Sequence, residues 1–203
     1  MKVLCFGDSN TFGYIPGGAG RYDRYTRWPG QLQRLLGEQY QIIEEGLCGR
    51  TTGFEDTACP DRCGLNALIQ ALRLYGPLDL LIIMLGTNDC KTQFRASAGM
   101  ISKGLEEVLE KAGTLAAQPF RTLLISPAPL DEAAVFEDSE FDTASVAVSR
   151  GLAEEFKQLA QRYGCLFLDA SAVAAVSKAD GVHLDAAGHK ALADAVGKLV
   201  QKI

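Results

Sequence analysis

The chain alternates short apolar runs, rich in β-branched residues, with longer segments in which apolar residues recur at helical spacing. The apolar runs predict five strands, at residues 2–6, 40–44, 78–85, 121–125 and 165–168. The helical spacing predicts helices at residues 28–36 and 64–75, over much of residues 98–117 and over about residues 143–163, and a last one that begins near Asp185. Such regular alternation is typical of an α/β fold in which helices cover both faces of a parallel sheet.

The run at residues 78–85 is apolar at nearly every position, as a strand buried on both faces requires, so we expect it to be central. Glycine and polar residues follow the first three predicted strands, at residues 7–10, 46–51 and 86–89. If the strand order is the flavodoxin-like 2-1-3-4-5, these segments meet in the crevice beyond the carboxyl ends of the strands. No repeat or linker interrupts the pattern. We therefore expect a single domain over residues 1–203, a three-layer α/β/α sandwich with a five-stranded parallel sheet.

The composition excludes some classes of partner. The net charge is −5, the sequence pI is about 5.1, and Lys and Arg form no consecutive run, which argues against nucleic acid and an anionic membrane. No apolar run approaches the ~18 to 20 residues that span a bilayer. The first predicted strand begins too early to leave room for a secretory leader. Since the six cysteines form no CxxC pair, we expect a reduced, cytoplasmic protein. The charge leads us to expect a small-molecule partner.

Cys59 and Cys63 leave one question open, because they flank a polar loop and could form a disulfide or half of a metal site. Only two histidines exist to complete a zinc shell. We therefore predict that the protein holds no metal.

A candidate for acyl transfer lies at the end of the first predicted strand. Such a reaction needs a nucleophile, a base, a group that orients the base, and donors for the oxyanion that forms. Ser9 directly follows this strand between two glycines, where a tight turn can present its hydroxyl. His183 follows Asp180 by three residues, a spacing that lets the carboxylate accept an imidazole N–H, whereas His189 falls on the apolar stripe of the last helix. His183 is therefore the candidate base and Asp180 its orienting partner.

Two further residues are candidate donors. Gly49 lacks a side chain and can bring its backbone N–H close to a substrate, and Asn88 carries an amide group at the end of the central strand. With the Ser9 backbone N–H they would form a three-donor oxyanion hole. Taken singly, Gly49 is equally consistent with an ordinary turn glycine, and Asn88 with a turn or cap residue.

Four blocks occur in a fixed order along the chain, namely Gly7-Asp8-Ser9, Gly49, Gly86-Thr87-Asn88-Asp89 and Asp180-Gly181-Val182-His183. In combination they resemble the sequence blocks of the SGNH hydrolases, the GDSL esterase and lipase family. The arylesterase and acyltransferase branch of that family is especially similar at residues 4–9, 44–47, 50–52 and 82–89. The resemblance covers nearly the whole chain and implies a carboxylic ester hydrolase with the SGNH hydrolase fold.

The resemblance implies a catalytic triad of Ser9, His183 and Asp180, and an oxyanion hole formed by Ser9, Gly49 and Asn88. It also implies that five nearby residues border the substrate pocket, namely Asp8, Asn10, Thr87, Lys91 and Val182. Asn10 stands where the family name has Leu, which puts a polar amide near the pocket.

The resemblance further implies a small-molecule ester as substrate, with acyl transfer to alcohols as a competing reaction. The polar residues around Ser9 favour short acyl groups such as acetate over long chains. Residues 126–142 form a long irregular connection that is shorter and more acidic than the arylesterase branch leads us to expect. Since such insertions help to build oligomers in that branch, assembly into a homo-oligomer stays open.

Alternatives to an esterase remain. A carbohydrate O-deacetylase or a thioesterase would use the same triad, and Asp8, Asn10 and Arg50 could bind sugar hydroxyls. A flavodoxin-like nucleotide or flavin binder would share the sheet order and hold phosphate in the loop at residues 7–13. That loop lacks the P-loop and GxGxxG patterns, so no cofactor is predicted. A catalytically silent binding module would also be consistent with the fold, but the chain has every residue that the chemistry needs, which argues against it.

Overall fold

In the computed structural model, which describes residues 1–18, 20–116 and 118–203, the chain forms a parallel sheet of five strands. The strands are β1 (Lys2–Gly7), β2 (Gln41–Gly46), β3 (Leu80–Met84), β4 (Arg121–Ser126) and β5 (Leu166–Asp169). Their order in the sheet is β2-β1-β3-β4-β5, and every neighbouring pair is parallel. The predicted fold class and strand order are confirmed.

Helices connect the strands and cover both faces of the sheet. They are α1 (Ser9–Phe12), α2 (Trp28–Leu36), α3 (Gly64–Tyr75), α4 (Ala98–Leu115), α5 (Ala134–Glu137), α6 (Thr143–Tyr163) and α7 (Ala186–Val200). Short 3-10 turns lie at Pro60–Arg62, Asn88–Cys90 and Ala170–Ala172. The bounds of α2, α3 and α6 are those predicted, and α7 begins directly after its cap, Asp185. Within the described residues, no helix is both long and apolar enough to cross a membrane.

Some elements differ from the prediction in detail. The helix predicted over much of residues 98–117 is α4, which ends at Leu115, and residue 117 itself lies outside the described residues. The connection at residues 126–142, predicted to be irregular, contains the short helix α5. Asp131 in this connection donates its backbone N–H to the Gly181 carbonyl at 2.9 Å, which ties the connection to the segment after β5.

The sheet separates two apolar cores. Side chains of β3 alternate between them, because successive residues of a strand point to opposite faces. Leu81 and Ile83 face α3, α4 and α6, whereas Leu80, Ile82 and Met84 face α2 and α7. All five β3 residues are buried, as the central position predicts. Burial of each such side chain stabilises the fold by roughly 1.5 to 3 kcal/mol, so the strand ends from which the loops start are held in fixed positions.

The carboxyl ends of the first three strands lie at one level. Gly7 of β1 pairs with Gly46 of β2 on one side and with Met84 of β3 on the other. The loops that follow these strands therefore start side by side, at the edge where an open parallel sheet gathers its ligands.

Candidate active site

Ser9 is the first residue of α1, directly after the turn that ends β1. Asp8 caps this helix by accepting the Asn10 backbone N–H at 2.9 Å. The turn requires glycine before the cap, because a Cβ at Gly7 would lie 2.1 Å from Thr11 Oγ1. At the first position of a helix, the Ser9 backbone N–H has no acceptor within that helix. Both the hydroxyl and the N–H of Ser9 are therefore available to a ligand.

Ser9, His183 and Asp180 form a hydrogen-bonded chain. His183 Nε2 lies 2.9 Å from Ser9 Oγ, and His183 Nδ1 lies 2.8 Å from Asp180 Oδ2. Since an ionised carboxylate only accepts hydrogen bonds, Nδ1 carries the proton and Nε2 accepts the hydrogen bond from the Ser9 hydroxyl. The imidazole is thus held in the tautomer that can take a proton from Ser9.

The carboxylate of Asp180 is held mainly by its own turn. Oδ1 accepts the backbone N–H groups of Val182 and His183, each at 3.0 Å, and Oδ2 also accepts the Gly17 N–H at 3.1 Å. Burial raises the pKa of Asp180, but the hydrogen bonds from the His183 side chain and from the two backbone N–H groups outweigh burial and lower this pKa to about 2. Asp180 therefore stays ionised beside the imidazole at neutral pH.

The second histidine has a different environment. His189 is fully buried in α7, and its Nδ1 accepts the Trp28 backbone N–H at 3.4 Å. Burial lowers the pKa of His189 to about 4, so it is a neutral core side chain. In contrast, His183 packs against the ring of Tyr14, with ring centroids 4.6 Å apart, and both of these side chains line one cavity.

Gly49 and Asn88 line the same cavity as Ser9. Gly49 has a φ of +82°, a conformation that favours glycine, and a Cβ there would lie 2.6 Å from Arg62 Nε and displace that side chain. Asn88 begins the 3-10 turn after β3 and donates one amide hydrogen to the Arg50 carbonyl at 3.0 Å. Because the amide group has two hydrogens, one remains for a ligand in the cavity.

The cavity has a volume of about 410 Å³, toward the lower end of the ~300 to 1,000 Å³ range that is typical of small-molecule sites. Its apolar wall includes Tyr14, Phe141 and Val182. Its charged wall includes Lys91, which is 6% exposed and forms an ion pair with Glu140 at 2.7 Å. A small, partly polar ligand fits such a lining better than a long apolar chain.

Residues 5–191 match the sequence profile of the GDSL-like Lipase/Acylhydrolase family. The chain belongs to this family. The matched region contains both the turn of Ser9 and the turn of His183, which lie at opposite ends of the chain. The predicted family is confirmed, and the enzyme class expected from the sequence, a carboxylic ester hydrolase, agrees with it.

Solved structures related to this chain are similar over nearly its whole length. A carbohydrate acetylesterase family member from Sinorhizobium meliloti is 36% identical with a TM-score of 0.92, over 99% of this chain and 97% of that chain. The aryl esterase of M. smegmatis is 33% identical with a TM-score of 0.92, over 99% of this chain and 98% of that chain.

An acetylxylan esterase of Xylanibacter ruminicola is also similar, with 25% identity over 221 residues. The matched segment takes in 99% of this chain and 43% of that relative. The chain thus spans less than half of the length of the acetylxylan esterase.

The residues predicted to border the substrate pocket fall into two groups in the structure. Lys91 and Val182 line the cavity. Asp8, Asn10 and Thr87 are buried and are not among its lining residues. Asn10 uses its side-chain amide for hydrogen bonds to the backbone on both sides of His183. Asp8 and Asn10 thus hold the loops of the site through hydrogen bonds to the backbone, whereas Thr87 is buried behind the cavity.

Several cavity residues were missed by sequence reasoning, namely Gly17, Arg62, Glu137, Asp138 and Glu140. Gly17 contacts Asp180 from 163 residues away, and no local pattern predicts such a contact. The acidic composition of residues 126–142 was a signal for Glu137, Asp138 and Glu140. That this segment lies beside Ser9 follows only from the tertiary structure.

All six cysteines lie in the described part of the chain and are free thiols, so Cys59 and Cys63 are not paired. Among the described residues, no group of three or more His, Cys, Asp or Glu side chains is arranged to hold a metal ion.

Proposed function

We propose that this protein is a serine esterase that hydrolyses small carboxylic esters of the acetyl type. The observation that carries the proposal is the chain from Asp180 through His183 to Ser9, with distances of 2.8 and 2.9 Å. Gly49 and Asn88 line the same cavity. A nucleophile, a base, an orienting carboxylate and oxyanion donors around one cavity are the parts that acyl transfer requires.

In the proposed reaction, His183 Nε2 takes the hydroxyl proton of Ser9 as Ser9 Oγ attacks the ester carbonyl carbon. The carbonyl oxygen becomes an oxyanion, which accepts hydrogen bonds from the Ser9 and Gly49 N–H groups and from the Asn88 amide. Asp180 stabilises the imidazolium, which then gives its proton to the leaving alcohol. A water activated in the same way hydrolyses the acyl-enzyme, and an alcohol in its place gives acyl transfer.

The cavity supports a preference for short acyl groups. Each buried methylene contributes only about 0.8 kcal/mol. Beside its apolar wall, the cavity has Arg62, Lys91 and Glu140 in its lining, and a long apolar chain would remove water from these charged groups without offering them hydrogen bonds. We propose that Lys91 and Val182 contact the bound ester.

In a series of nitrophenyl esters from acetate to palmitate, measured below any micelle threshold, kcat/KM should therefore decline steadily beyond butyrate. An optimum at octanoate or longer would contradict the preference for short acyl groups.

A carbohydrate O-deacetylase is the second candidate, favoured by the names of two similar proteins, the carbohydrate acetylesterase family member from Sinorhizobium meliloti and the acetylxylan esterase of Xylanibacter ruminicola. The polar groups of Arg62, Glu137 and Asp138 in the cavity lining can bind hydroxyls. Acetate release from acetylated xylan, compared with release from phenyl acetate, distinguishes the two functions. A higher kcat/KM on the sugar ester would favour the deacetylase.

The role of Ser9 as nucleophile is tested by labelling and by substitution. An organophosphonate should add to Ser9, as located by mass spectrometry, because within the described residues this is the one hydroxyl that is hydrogen-bonded to His183. Ser9→Ala should lower kcat by about 10⁴-fold or more, since removal of a triad member leaves only binding and oxyanion stabilisation. Stoichiometric labelling of a different serine would contradict the assignment.

The role of His183 as base is tested against the second histidine. His183→Ala should lower kcat about as much as Ser9→Ala, because the two residues act as a unit. His189→Gln is the matched control, since glutamine can still accept the Trp28 N–H, and it should keep the wild-type kcat. A folded His189→Gln variant that has lost its activity would mean that the base was assigned wrongly.

A further inference from the structure

The side chain of Asn10 joins the two halves of the candidate site. Asn10 follows Ser9 in α1 and is 5% exposed. Its Oδ1 accepts the backbone N–H of Leu184 at 2.9 Å, and its Nδ2 donates to the backbone carbonyl of Val182 at 3.2 Å. These two peptide groups lie on either side of His183, at the other end of the chain.

The bonds of Asn10 differ in kind from those of Asp180. Asp180 accepts from the side chain and the backbone of His183, so it fixes the imidazole relative to its own turn. Those bonds leave open where the turn sits relative to Ser9. Asn10 is adjacent to Ser9 on a single short helix, so its two bonds fix the distance between the turn and the nucleophile.

An amide side chain suits this position because it presents an acceptor and a donor in one rigid plane. It can therefore satisfy the N–H of Leu184 and the carbonyl of Val182 at once. A leucine has the same branched shape, with two methyl groups in place of the amide oxygen and nitrogen, but offers neither a donor nor an acceptor. A carboxylate could accept from Leu184 but could not donate to Val182.

We propose that Asn10 is a positioning residue that holds His183 Nε2 within hydrogen-bond distance of Ser9 Oγ. The inference rests on the proposed function, in which His183 takes the proton of Ser9. Asn10 touches neither the ester nor the transferred proton. It acts on kcat through the 2.9 Å separation of Ser9 and His183, because a misplacement of about 1 Å costs about 10²-fold in rate.

The primary experiment is steady-state kinetics of Asn10→Leu on nitrophenyl acetate, with the concentration of folded enzyme taken from circular dichroism and active-site titration. We expect kcat to fall about 10- to 100-fold with KM nearly unchanged, because the cavity lining is untouched. Thr11→Val is the matched control on the same helix. In the part of the chain that the structure describes, the buried Thr11 hydroxyl has no hydrogen-bond partner, so this variant should keep the wild-type kcat.

A second measurement separates positioning from a general loss of structure. In a His183→Ala background, Asn10→Leu should lower the residual kcat less than about two-fold, because Asn10 then has no base to position. An equal loss in both backgrounds would overturn the inference. A rise in KM at unchanged kcat would also overturn it, since Asn10 would then be a substrate contact.

If Asn10→Leu does not fold, Asn10→Asp takes its place in the comparison with and without His183, because it keeps the acceptor for Leu184. It should give a smaller loss of kcat that likewise disappears without His183. The proposed function is tested by a different variant, since activity retained by Ser9→Ala would contradict it. An enzyme that depends on Ser9 but is indifferent to both Asn10 substitutions would overturn only the positioning role.

Discussion

At the scale of single residues, Asn88 joins two parts of the candidate oxyanion hole. One amide hydrogen holds the Arg50 carbonyl at 3.0 Å, which fixes the turn that carries Gly49, and the other remains for the oxyanion. Asn88 is buried, so its orientation is set before an ester binds. Donors oriented in advance stabilise developing charge without further reorganisation.

Asn88→Ala should therefore lower kcat on nitrophenyl acetate by ~10² to 10³, or roughly 3 to 4 kcal/mol, with a much smaller change in KM. Steady-state kinetics separate the two parameters. A loss confined to KM would instead make Asn88 a substrate-binding residue.

Gly49 offers a second test at this scale. Gly49→Ala places a side chain at a φ of +82° and within 2.6 Å of Arg62 Nε, so we expect a loss of stability of more than about 1 kcal/mol and a lower kcat. Gly164→Ala is the matched control, because Gly164 has a φ of +65° with no heavy atom within 4 Å of an added Cβ. This control should lose about 1 kcal/mol of stability and keep its kcat. Equal kcat values for both variants would contradict a role for the Gly49 turn.

At the scale of elements, the helices that pack against the sheet determine stability, whereas the loops at its carboxyl edge carry the candidate chemistry. α4 lies on the face that β3 shares with α3 and α6, and its inward side chains include Ile101, Leu105 and Val108. None of these three lines the cavity. Changes at the start of α4 should therefore alter stability without altering turnover.

Ser97 caps α4 by accepting the Met100 backbone N–H at 3.3 Å. Ser97→Ala should lower the free energy of unfolding by about 1 kcal/mol, because a terminal N–H loses its acceptor. Ser97→Thr keeps a hydroxyl cap and should be close to the wild type. Urea denaturation measures both variants. A change in kcat of the folded Ser97→Ala enzyme would show that α4 is coupled to the site after all.

At the scale of the whole molecule, buried carboxyls connect stability to pH. Burial raises the pKa of Asp8 and of Asp89 from 3.8 to about 6. Between about pH 4 and 6 the folded state keeps protons that the unfolded state has lost, so the free energy of unfolding falls as pH rises through this window. Asp180, with its pKa lowered to about 2, acts in the opposite direction between about pH 2 and 4. His189, whose pKa burial lowers to about 4, also acts in the opposite direction, between about pH 4 and 6.5, and offsets about one of the two buried carboxyls.

Asp89→Asn tests this balance, because asparagine keeps an oxygen that can accept the Thr52 N–H and hydroxyl. The decline of stability from about pH 4 to 6 should become shallower, by up to about 1.4 kcal/mol per pH unit. Urea denaturation at several pH values measures the slope. An unchanged slope would mean that Asp89 is ionised throughout this range.

The sequence by itself determined the elements and the ends of strands at which the candidate site lies. Apolar periodicity is a local property, so residues 28–36, 64–75 and 143–163 predicted α2, α3 and α6 with their observed bounds. The nearly continuous apolar run at residues 78–85 identified β3 as a central strand. The four-residue helix α1 and the short α5 were missed, because neither is long enough to show a period.

Only the tertiary structure decided which side chains meet. Asn10 contacts Val182 and Leu184 across 172 and 174 residues, and Gly17 contacts Asp180 across 163. The sequence predicted Asn10 to border the substrate pocket, whereas the structure turns its amide toward the backbone beside His183. Such contacts depend on how β1 and the segment after β5 are brought together by packing across the whole sheet, and no pattern within a few residues contains that information.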